Sequence, residues 1–240
     1  MRRTLFVSDL HLDASREDAN GRLERFLGEV VPGADALYVL GDLFEYWVGD
    51  EALALPLPAR IATAFARATA SVPGFFMHGN RDFLAGGRFA RATGLALLED
   101  PAAIDLYGRR TLLLHGDTLC TDDREYQAFR AQVRDPRWQR TLLARPLEER
   151  LALAREMRAG SESAKAGKAV EIMDVAPAAV ERAFAESGAE LMIHGHTHRP
   201  GRHAHRVGTR DCERWVLPDW YGTGGYLEAT PDALRAVTLA

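Results

Sequence analysis

Five short apolar runs in this chain each stop abruptly at residues able to hold a metal ion, and this repeated design limits the possible fold more than any other feature. Thr4–Ser8 leads into Asp9-Leu10-His11, Ala36–Leu40 into Gly41-Asp42, and Gly74–Met77 into His78-Gly79-Asn80. Thr111–Leu114 leads into His115-Gly116-Asp117, and Glu190–Ile193 into His194-Gly195-His196-Thr197-His198. The runs are rich in Leu, Val, Ile and Phe without clean period-two alternation, as expected of strands buried on both faces. Helix-like stretches separate the early runs. Arg22–Val31 sets Leu23, Phe26, Leu27 and Val30 on one face, and Pro58–Ala70 carries Ile61 and Phe65 at helical spacing. Alternating strand and helix predicts an α/β sheet. In such sheets ligands collect beyond the carboxyl ends of the strands, where all five polar clusters fall.

The interval 121–187 differs in character. It is dense in Arg, Glu, Ala, Leu and Gln, poor in β-branched residues until Val170, and punctuated by Pro136, Pro146, Gly160, Gly167 and Pro177. This predicts several short helices inserted between the fourth and fifth strands. Their apolar positions would pack as a cap over the strand ends, so residues 1–240 read as one domain carrying a helical cap. After His198 the chain turns β-like over Glu213–Leu217, Gly225–Ala229 and Leu234–Leu239. With 240 residues, 47% of them hydrophobic, the chain can bury one substantial core. Its longest apolar stretches are strand-length, far short of the roughly 20 residues of a transmembrane helix. Asp9 falls where a signal peptide keeps its apolar region, so the protein is expected in the cytosol. Cys120 and Cys212, two and far apart, do not read as a disulfide framework or a zinc cluster.

A net charge of −4 argues against a general nucleic-acid binder. Its distribution says more. From Thr121 to Val170 eleven Arg/Lys against eight Asp/Glu give +3, which leaves −7 for the rest. A basic segment within an acidic protein is either a surface that meets an anion or a solvated helical face.

Taken together, the polar clusters offer Asp9, His11, Asp42, Asn80, His115, His196 and His198 as oxygen and nitrogen ligands. Mn²⁺ and similar divalent ions accept this mixture, whereas structural zinc more often takes thiolates. Seven ligands exceed what one ion with open positions needs and suit two ions sharing a bridging carboxylate. Two ions roughly 3.5–4 Å apart can stabilise both the attacking and the leaving oxygen of a phosphoryl transfer. Singly, each motif has a plainer reading: a turn Asp beside a surface His, or a Gly-Asp that merely ends a strand. His78 is expected to be structural, because Asn80 is the better ligand. The ordered combination carries the hydrolytic reading.

That ordered set, with Gly79-Asn80-Arg81-Asp82 at its centre, resembles the calcineurin-like metallophosphoesterases over residues 9–198. The resemblance implies a four-layer αββα sandwich, two packed sheets with helices outside. It also implies one metal on Asp9, His11 and His198, a second on Asn80, His115 and His196, Asp42 as the bridge, and water as the nucleophile. Most members carry Gly-Asn-His-Asp/Glu, whose His is usually considered the general acid that protonates a leaving alkoxide. Here that position is Arg81. A guanidinium stays protonated near neutrality and is a poor proton donor, but it grips phosphate bidentately. A leaving group that is itself a phosphate needs little protonation, so Arg81 points toward pyrophosphate cleavage.

A narrower likeness follows from Ser8–Leu12, Gly41–Glu45, the Gly-Asn-Arg-Asp form, His115–Asp123 and Ile193–Pro200. These resemble the UDP-2,3-diacylglucosamine pyrophosphohydrolases of the lipid A pathway in Gram-negative bacteria. The resemblance implies a UDP-linked diacylated glucosamine substrate, cut by water at the α-phosphorus to give UMP and 2,3-diacylglucosamine 1-phosphate, with two Mn²⁺ per chain. It implies Asn80, Arg81 and His115 as catalytic residues. Asn80 and Arg81 would contact the diphosphate, Asp123 and His196 further polar parts of the substrate, and Ser161, Lys165 and Lys168 would reach from the cap. Lys165 and Lys168, three apart, would share a helix face, either as ordinary exposed lysines or against the anionic substrate. Phe44, Tyr46, Trp47 and Phe83, with Phe129, Leu142, Leu147 and Leu151 of the insert, are either core or a wall for acyl chains. An acylated substrate also suggests peripheral contact with the cytoplasmic face of the inner membrane, and no obligate protein partner is implied. Rivals on the same scaffold are other nucleotide pyrophosphatases, cyclic-nucleotide phosphodiesterases and protein phosphatases; Arg81 and the insert argue against the usual forms of the last two. A scaffold without metals would not be expected to keep all seven ligand positions filled.

Overall fold

Strands that are apolar on both faces need a packing partner on each side, and the computed structural model provides two. It describes residues 2–166 and 174–239, without the side chains of 161–166. The first part of the chain runs β1 (Thr4–Val7), α1 (Glu17–Arg25), β2 (Ala36–Val39), α2 (Pro56–Thr69), β3 (Gly74–Met77), α3 (Gly87–Thr93) and β4 (Leu95–Leu98). The antiparallel pair β5 (Ala102–Leu106) and β6 (Arg109–Leu113) follows. Four helices come next: α4 (Arg124–Val133), α5 (Pro136–Leu143), α6 (Leu147–Ala166) and α7 (Pro177–Ser187). The chain closes with β7 (Leu191–His194), β8 (Gly201–Val207), β9 (Arg210–Val216), β10 (Gly225–Ala229) and β11 (Leu234–Thr238).

One sheet has the order β11-β10-β1-β2-β3-β4 and the other β5-β6-β7-β9-β8. Strands β1 to β4 run parallel, as do β6, β7 and β9. The carboxyl ends of β1, β2 and β3 therefore gather at one edge, and those of β6 and β7 at the same edge of the facing sheet.

The pleat sorts side chains between layers. On β1, Leu5 and Val7 join a cluster with Leu23, Phe26, Ile61 and Phe65 of the outer helical layer, while Phe6 turns the other way. Phe6 meets Leu113, Leu191 and Ile193 of the second sheet. On the far side of that sheet Leu112, Leu114 and Met192 pack with Val180 and Phe184 of α7. The order is helices, sheet, sheet, helix. Each fully buried Leu, Val or Phe is worth about 1.5–3 kcal/mol relative to exposure, so both faces of the central strands drive assembly. The same double burial explains why their sequence lacks alternation.

The predicted helix at Arg22–Val31 begins earlier, at Glu17, and Phe26–Val30 continue it as a π turn. The helix predicted from Pro58 starts at Pro56, where a missing N–H costs nothing in a first turn. Helices α3 and strands β4, β5 and β8 were not anticipated.

Between β6 and β7, α4 starts at Asp123, whose carboxylate accepts from Tyr126 N, and α5 at Asp135, which accepts from Arg137 N and Trp138 N. Leu142 is buried in the first cluster, and Trp138, Leu147, Leu151 and Ala154 pack against it. Arg150 of α6 is also buried; it donates to Val48 O at 2.5 Å and pairs with Glu51 at 3.1 Å.

Candidate active site

The hydrogen-bond ladder between β1 and β2 does not stop where the strands do. Asp9 N donates to Gly41 O and His11 N to Asp42 O, and Leu12 pairs with Phe44 as a parallel bridge. The polar residues in this stretch turn inward through left-handed backbone: Asp9, His11 and Asp42 have φ of 54°, 48° and 53°, and His196 and His198 have 69° and 53°. Such conformations cost free energy for residues other than glycine and persist where surrounding structure imposes them. Gly41 and Gly79 allow the loops to close. A Cβ on Gly41 would lie 2.5 Å from Gly79 Cα, and one on Gly79 would strike the Asp42 carboxylate.

All seven expected ligand residues meet here. Asp42 presents Oδ2 to His11 Nε2 and Oδ1 to His115 Nε2, each at 3.7 Å. On one side His11 Nε2 and His198 Nε2 face each other at 3.2 Å, and His198 Nε2 stands 3.4 Å from Asp9 Oδ1. Asp9 Oδ2 accepts from Ser8 Oγ and His196 N, while its buried Oδ1 has no hydrogen-bond partner among the described residues. On the other side Asn80 Oδ1 lies 3.0 Å from His115 Nε2 and 2.9 Å from His196 Nδ1. Ligand atoms of Asp9, His11 and His198 cluster within 4.8 Å, as do those of Asp9, Asp42 and His115.

This donor set suits a divalent cation. His115 Nδ1–H donates to Leu40 O, so in the neutral ring Nε2 carries a lone pair aimed at another acceptor, Asn80 Oδ1. Two acceptors in contact need a cation between them, either a proton or a metal ion. Without metal the proton wins: burial opposes charge on His115, but Asp42, Asp117 and Asp9 together raise it to about 9. His196 is pushed down to about 4, by burial and then by the His115 charge. Asp82, fully buried, rises to about 7 through burial and the nearby Asp42 carboxylate. It accepts from Leu43 N and Gly79 N and so ties the Asp42 and Asn80 loops together.

A cavity of about 550 Å³ opens from this cluster. Its polar end has Asn80, Arg81, His196 and His198, with Asp123 also on the wall. Tyr46, Trp47, Phe83, Trp138, Leu142 and Leu153 form much of its apolar lining. Arg81 N donates to Asp42 Oδ1, and its buried Nε has no hydrogen-bond partner among the described residues. The candidates for an apolar wall divide. Tyr46, Trp47, Phe83, Phe129 and Leu142 line the cavity, Trp47 and Leu142 as members of the core as well, whereas Phe44 is core and Leu147 and Leu151 pack against it. His78 Nε2–H donates to Ala85 O, away from the cluster. The side chains of Ser161 and Lys165, and the whole of Lys168, lie outside the described residues.

Several participants carry no ligand-like signature. Asp117 Oδ2 accepts from Tyr126 Oη and Arg130 Nε, both of α4, at 2.6 and 2.7 Å. Arg134 donates to Gly79 O and lies over Phe83. The Tyr221 ring, beyond β9, stacks on His11 at 4.9 Å. Glu45 pairs with His11 and with Arg158. The i,i+4 spacing of Tyr126 and Arg130 was a readable sign of a shared helix face. Nothing in the sequence tied that face to Asp117.

The calcineurin-like phosphoesterase profile matches residues 2–200. A UDP-2,3-diacylglucosamine hydrolase of Xanthomonas campestris pv. campestris is 49% identical over 244 aligned residues, covering 99% of each chain. Another from Stenotrophomonas maltophilia is 50% identical over 247, covering 99% of this chain and 98% of its own. Among solved structures, an archaeal phosphodiesterase is 11% identical with a TM-score of 0.49 over 99% of both chains.

Proposed function

The chain belongs to the calcineurin-like phosphoesterases and, within them, to the UDP-2,3-diacylglucosamine hydrolases, and on that footing we propose that it hydrolyses the pyrophosphate bond of UDP-2,3-diacylglucosamine in lipid A biosynthesis. Water attacks the α-phosphorus, and UMP and 2,3-diacylglucosamine 1-phosphate leave. The observation that carries this reading is one continuous cavity lined by Asn80, Arg81, His196 and His198 as well as by apolar residues. A substrate whose diphosphate links a nucleoside to a sugar carrying acyl chains finds a matching surface for the diphosphate and for the chains.

In our assignment Asp9, His11 and His198 hold one divalent ion, Asn80, His115 and His196 hold a second, and Asp42 serves both. We take the ions to be Mn²⁺, although Fe²⁺, Co²⁺ and Zn²⁺ accept the same donors. When bound, such ions supply water activated near neutral pH and offset charge on phosphoryl oxygens. The chain's own groups orient the substrate. Arg81, which lines the cavity, grips the diphosphate and balances charge on the departing phosphate. Asn80 and His196 contact the phosphoryl group, and Asp123 takes a polar part of the substrate from the wall. Ser161, Lys165 and Lys168 remain our assignment for contacts from the cap, the insert at about 121–187. Peripheral contact with the inner leaflet belongs to the same proposal. No helix among the described residues is long and apolar enough to cross a membrane, and Phe129 and Leu143 are exposed on α4 and α5.

The test is to incubate metal-stripped protein with UDP-2,3-diacylglucosamine in ¹⁸O-labelled water, with and without Mn²⁺. Mn²⁺-dependent release of labelled UMP is the expected result. Label in the lipid phosphate would move the attack to the other phosphorus. No turnover, with activity on a plain phosphodiester intact, would discard the substrate assignment and leave the metal site standing.

A further inference from the structure

Glu45 lies between two parts of the molecule that the reaction needs at once. Its backbone is fixed, since Glu45 N donates to Leu12 O beyond the end of β2. Its side chain is 12% exposed and uses both oxygens. Oε2 stands 3.3 Å from His11 Nδ1, and Oε1 pairs with Arg158 Nε of α6. Tyr221 Oη reaches Oε2 at 3.5 Å while its ring covers His11.

His11 therefore has two tasks on one ring. Nε2 looks toward Asp42 and His198, and Nδ1 looks toward Glu45. The pair is a 3.3 Å charge contact without hydrogen-bond alignment; the carboxylate's charge favours the proton on Nδ1 and leaves Nε2 with the lone pair a metal ion requires. The other oxygen of the same carboxylate is committed to α6, whose Ala154, Met157 and Arg158 line the cavity. Movement of α6 would draw on Glu45, and Glu45 would turn His11.

We propose that Glu45 is a positioning residue that couples the seating of α6 on the cavity to the aim of His11 at its metal ion. This rests on the reading that Asp9, His11 and His198 hold a divalent ion. Coupling of this kind is reciprocal: a seated α6 strengthens metal binding by the same factor by which the metal strengthens the seating. A ligand filling the cavity against α6 then tightens the metal centre that is to cut it.

The experiment titrates Mn²⁺ alone into the full-length metal-stripped chain by calorimetry and electron paramagnetic resonance. Glu45→Gln should weaken one of the two Mn²⁺ ions by about 10- to 100-fold, as removal of an outer-sphere partner of a metal-bound histidine typically does, and leave the other unchanged. Arg158→Ala should weaken the same ion by a smaller factor and add nothing in the Glu45→Gln background. Amide exchange along α6 should slow when Mn²⁺ is added to the wild type and stay unchanged in Glu45→Gln. If Glu45→Gln does not fold, Glu45→Asp, which keeps the charge but shortens the reach, enters the same comparison. Wild-type affinity for both ions in the folded Glu45 variants, or fully additive losses with Arg158→Ala, would overturn the coupling alone. A wild type that takes up no Mn²⁺, or a His11→Ala variant that keeps both ions, would overturn the metal reading and the coupling with it.

Discussion

A carboxylate can serve two cations only if its oxygens look in different directions, and Asp42 is held that way by left-handed backbone and by the Arg81 amide on Oδ1. Asp42→Ala should leave the sandwich folded and cut turnover by at least about a hundredfold, beyond the usual loss for an outer-sphere change. Unchanged Mn²⁺-dependent activity would sink the shared-carboxylate arrangement. Arg81→Ala should lower kcat/KM by roughly 10- to 100-fold, because hydrogen bonds to charged groups are worth about 1.5–3 kcal/mol. Arg81→Lys should not restore it if the bidentate grip matters; full activity in either variant would refute the role. His115 gives a pH signature. Its pKa in the metal-free chain, about 9, lies above the ordinary 6.5 because Asp42, Asp117 and Asp9 outweigh burial. A raised histidine pKa gives stability that is fully present below pH 6.5 and lost as pH rises through 9. Asp82, at about 7, is half ionised near pH 7 and adds a loss of the same sign that is spent about one unit higher; beyond that His115 should dominate, with about 3 kcal/mol at stake at most. Metal-free protein should melt at falling temperature from pH 7 to 9.5, and Mn²⁺-loaded protein, whose His115 must be neutral, should lose that slope. A flat metal-free profile would contradict the electrostatics. The seven residues that gather at the strand ends could be picked out from sequence because divalent cations of this kind restrict the donors to oxygen and nitrogen. Glu45 and Tyr221 could not, since a residue that only aims a ligand has no required chemistry at a required spacing.

Strands made the ligand loops possible, and the helices decide how firmly those loops are held. Helix α4 reaches the end of β6 through Asp117, which takes both Tyr126 and Arg130. Removing one partner from a buried ion pair typically costs about 3–5 kcal/mol, because the remaining charge is left uncompensated. Arg130→Met should fall near that range in urea unfolding. Tyr126→Phe should lose about 1.5–3 kcal/mol, the worth of one hydrogen bond to a charged group. Equal, negligible losses in both would mean that α4 is held by something else. The central strands were legible because burial on two faces leaves an apolar run, as in Leu191-Met192-Ile193. The edges were not. Strand β8 reads Gly-Arg-His-Ala-His-Arg-Val, and an edge strand that buries little needs no apolar pattern and gains from charge that discourages mispairing. The edge strands β4, Leu-Ala-Leu-Leu, and β5, Ala-Ala-Ile-Asp-Leu, are apolar but short and partly exposed, and they end in no ligand-like cluster that would mark them. Helix α3 opens on Gly87, a weak helix former.

At the scale of the whole molecule, the sandwich builds the hydrolytic edge and α4 to α6 add the apolar volume beside it. The composition of the insert announced helices. It could not say which of their apolar residues face inward, because Leu142 belongs at once to the core and to the cavity wall, and helical periodicity gives a face without its neighbour. Ala154 of α6 offers a way to separate the two functions. It is small, partly buried and on the cavity wall, so Ala154→Phe should fill apolar volume while leaving the ligand loops untouched. A pocket that gains or loses one methylene-sized group discriminates by about 1–3 kcal/mol, and a phenyl ring exceeds that. The variant should therefore lose at least about tenfold in kcat/KM for the diacylated substrate, mostly through KM. Its Mn²⁺-dependent hydrolysis of bis(p-nitrophenyl) phosphate, which has no acyl chain, should stay close to wild type. Equal losses on both substrates would mean that the ring disturbs the metal centre through α6. No loss on either would mean that the acyl chains lie elsewhere, and the apolar half of the cavity would need another occupant.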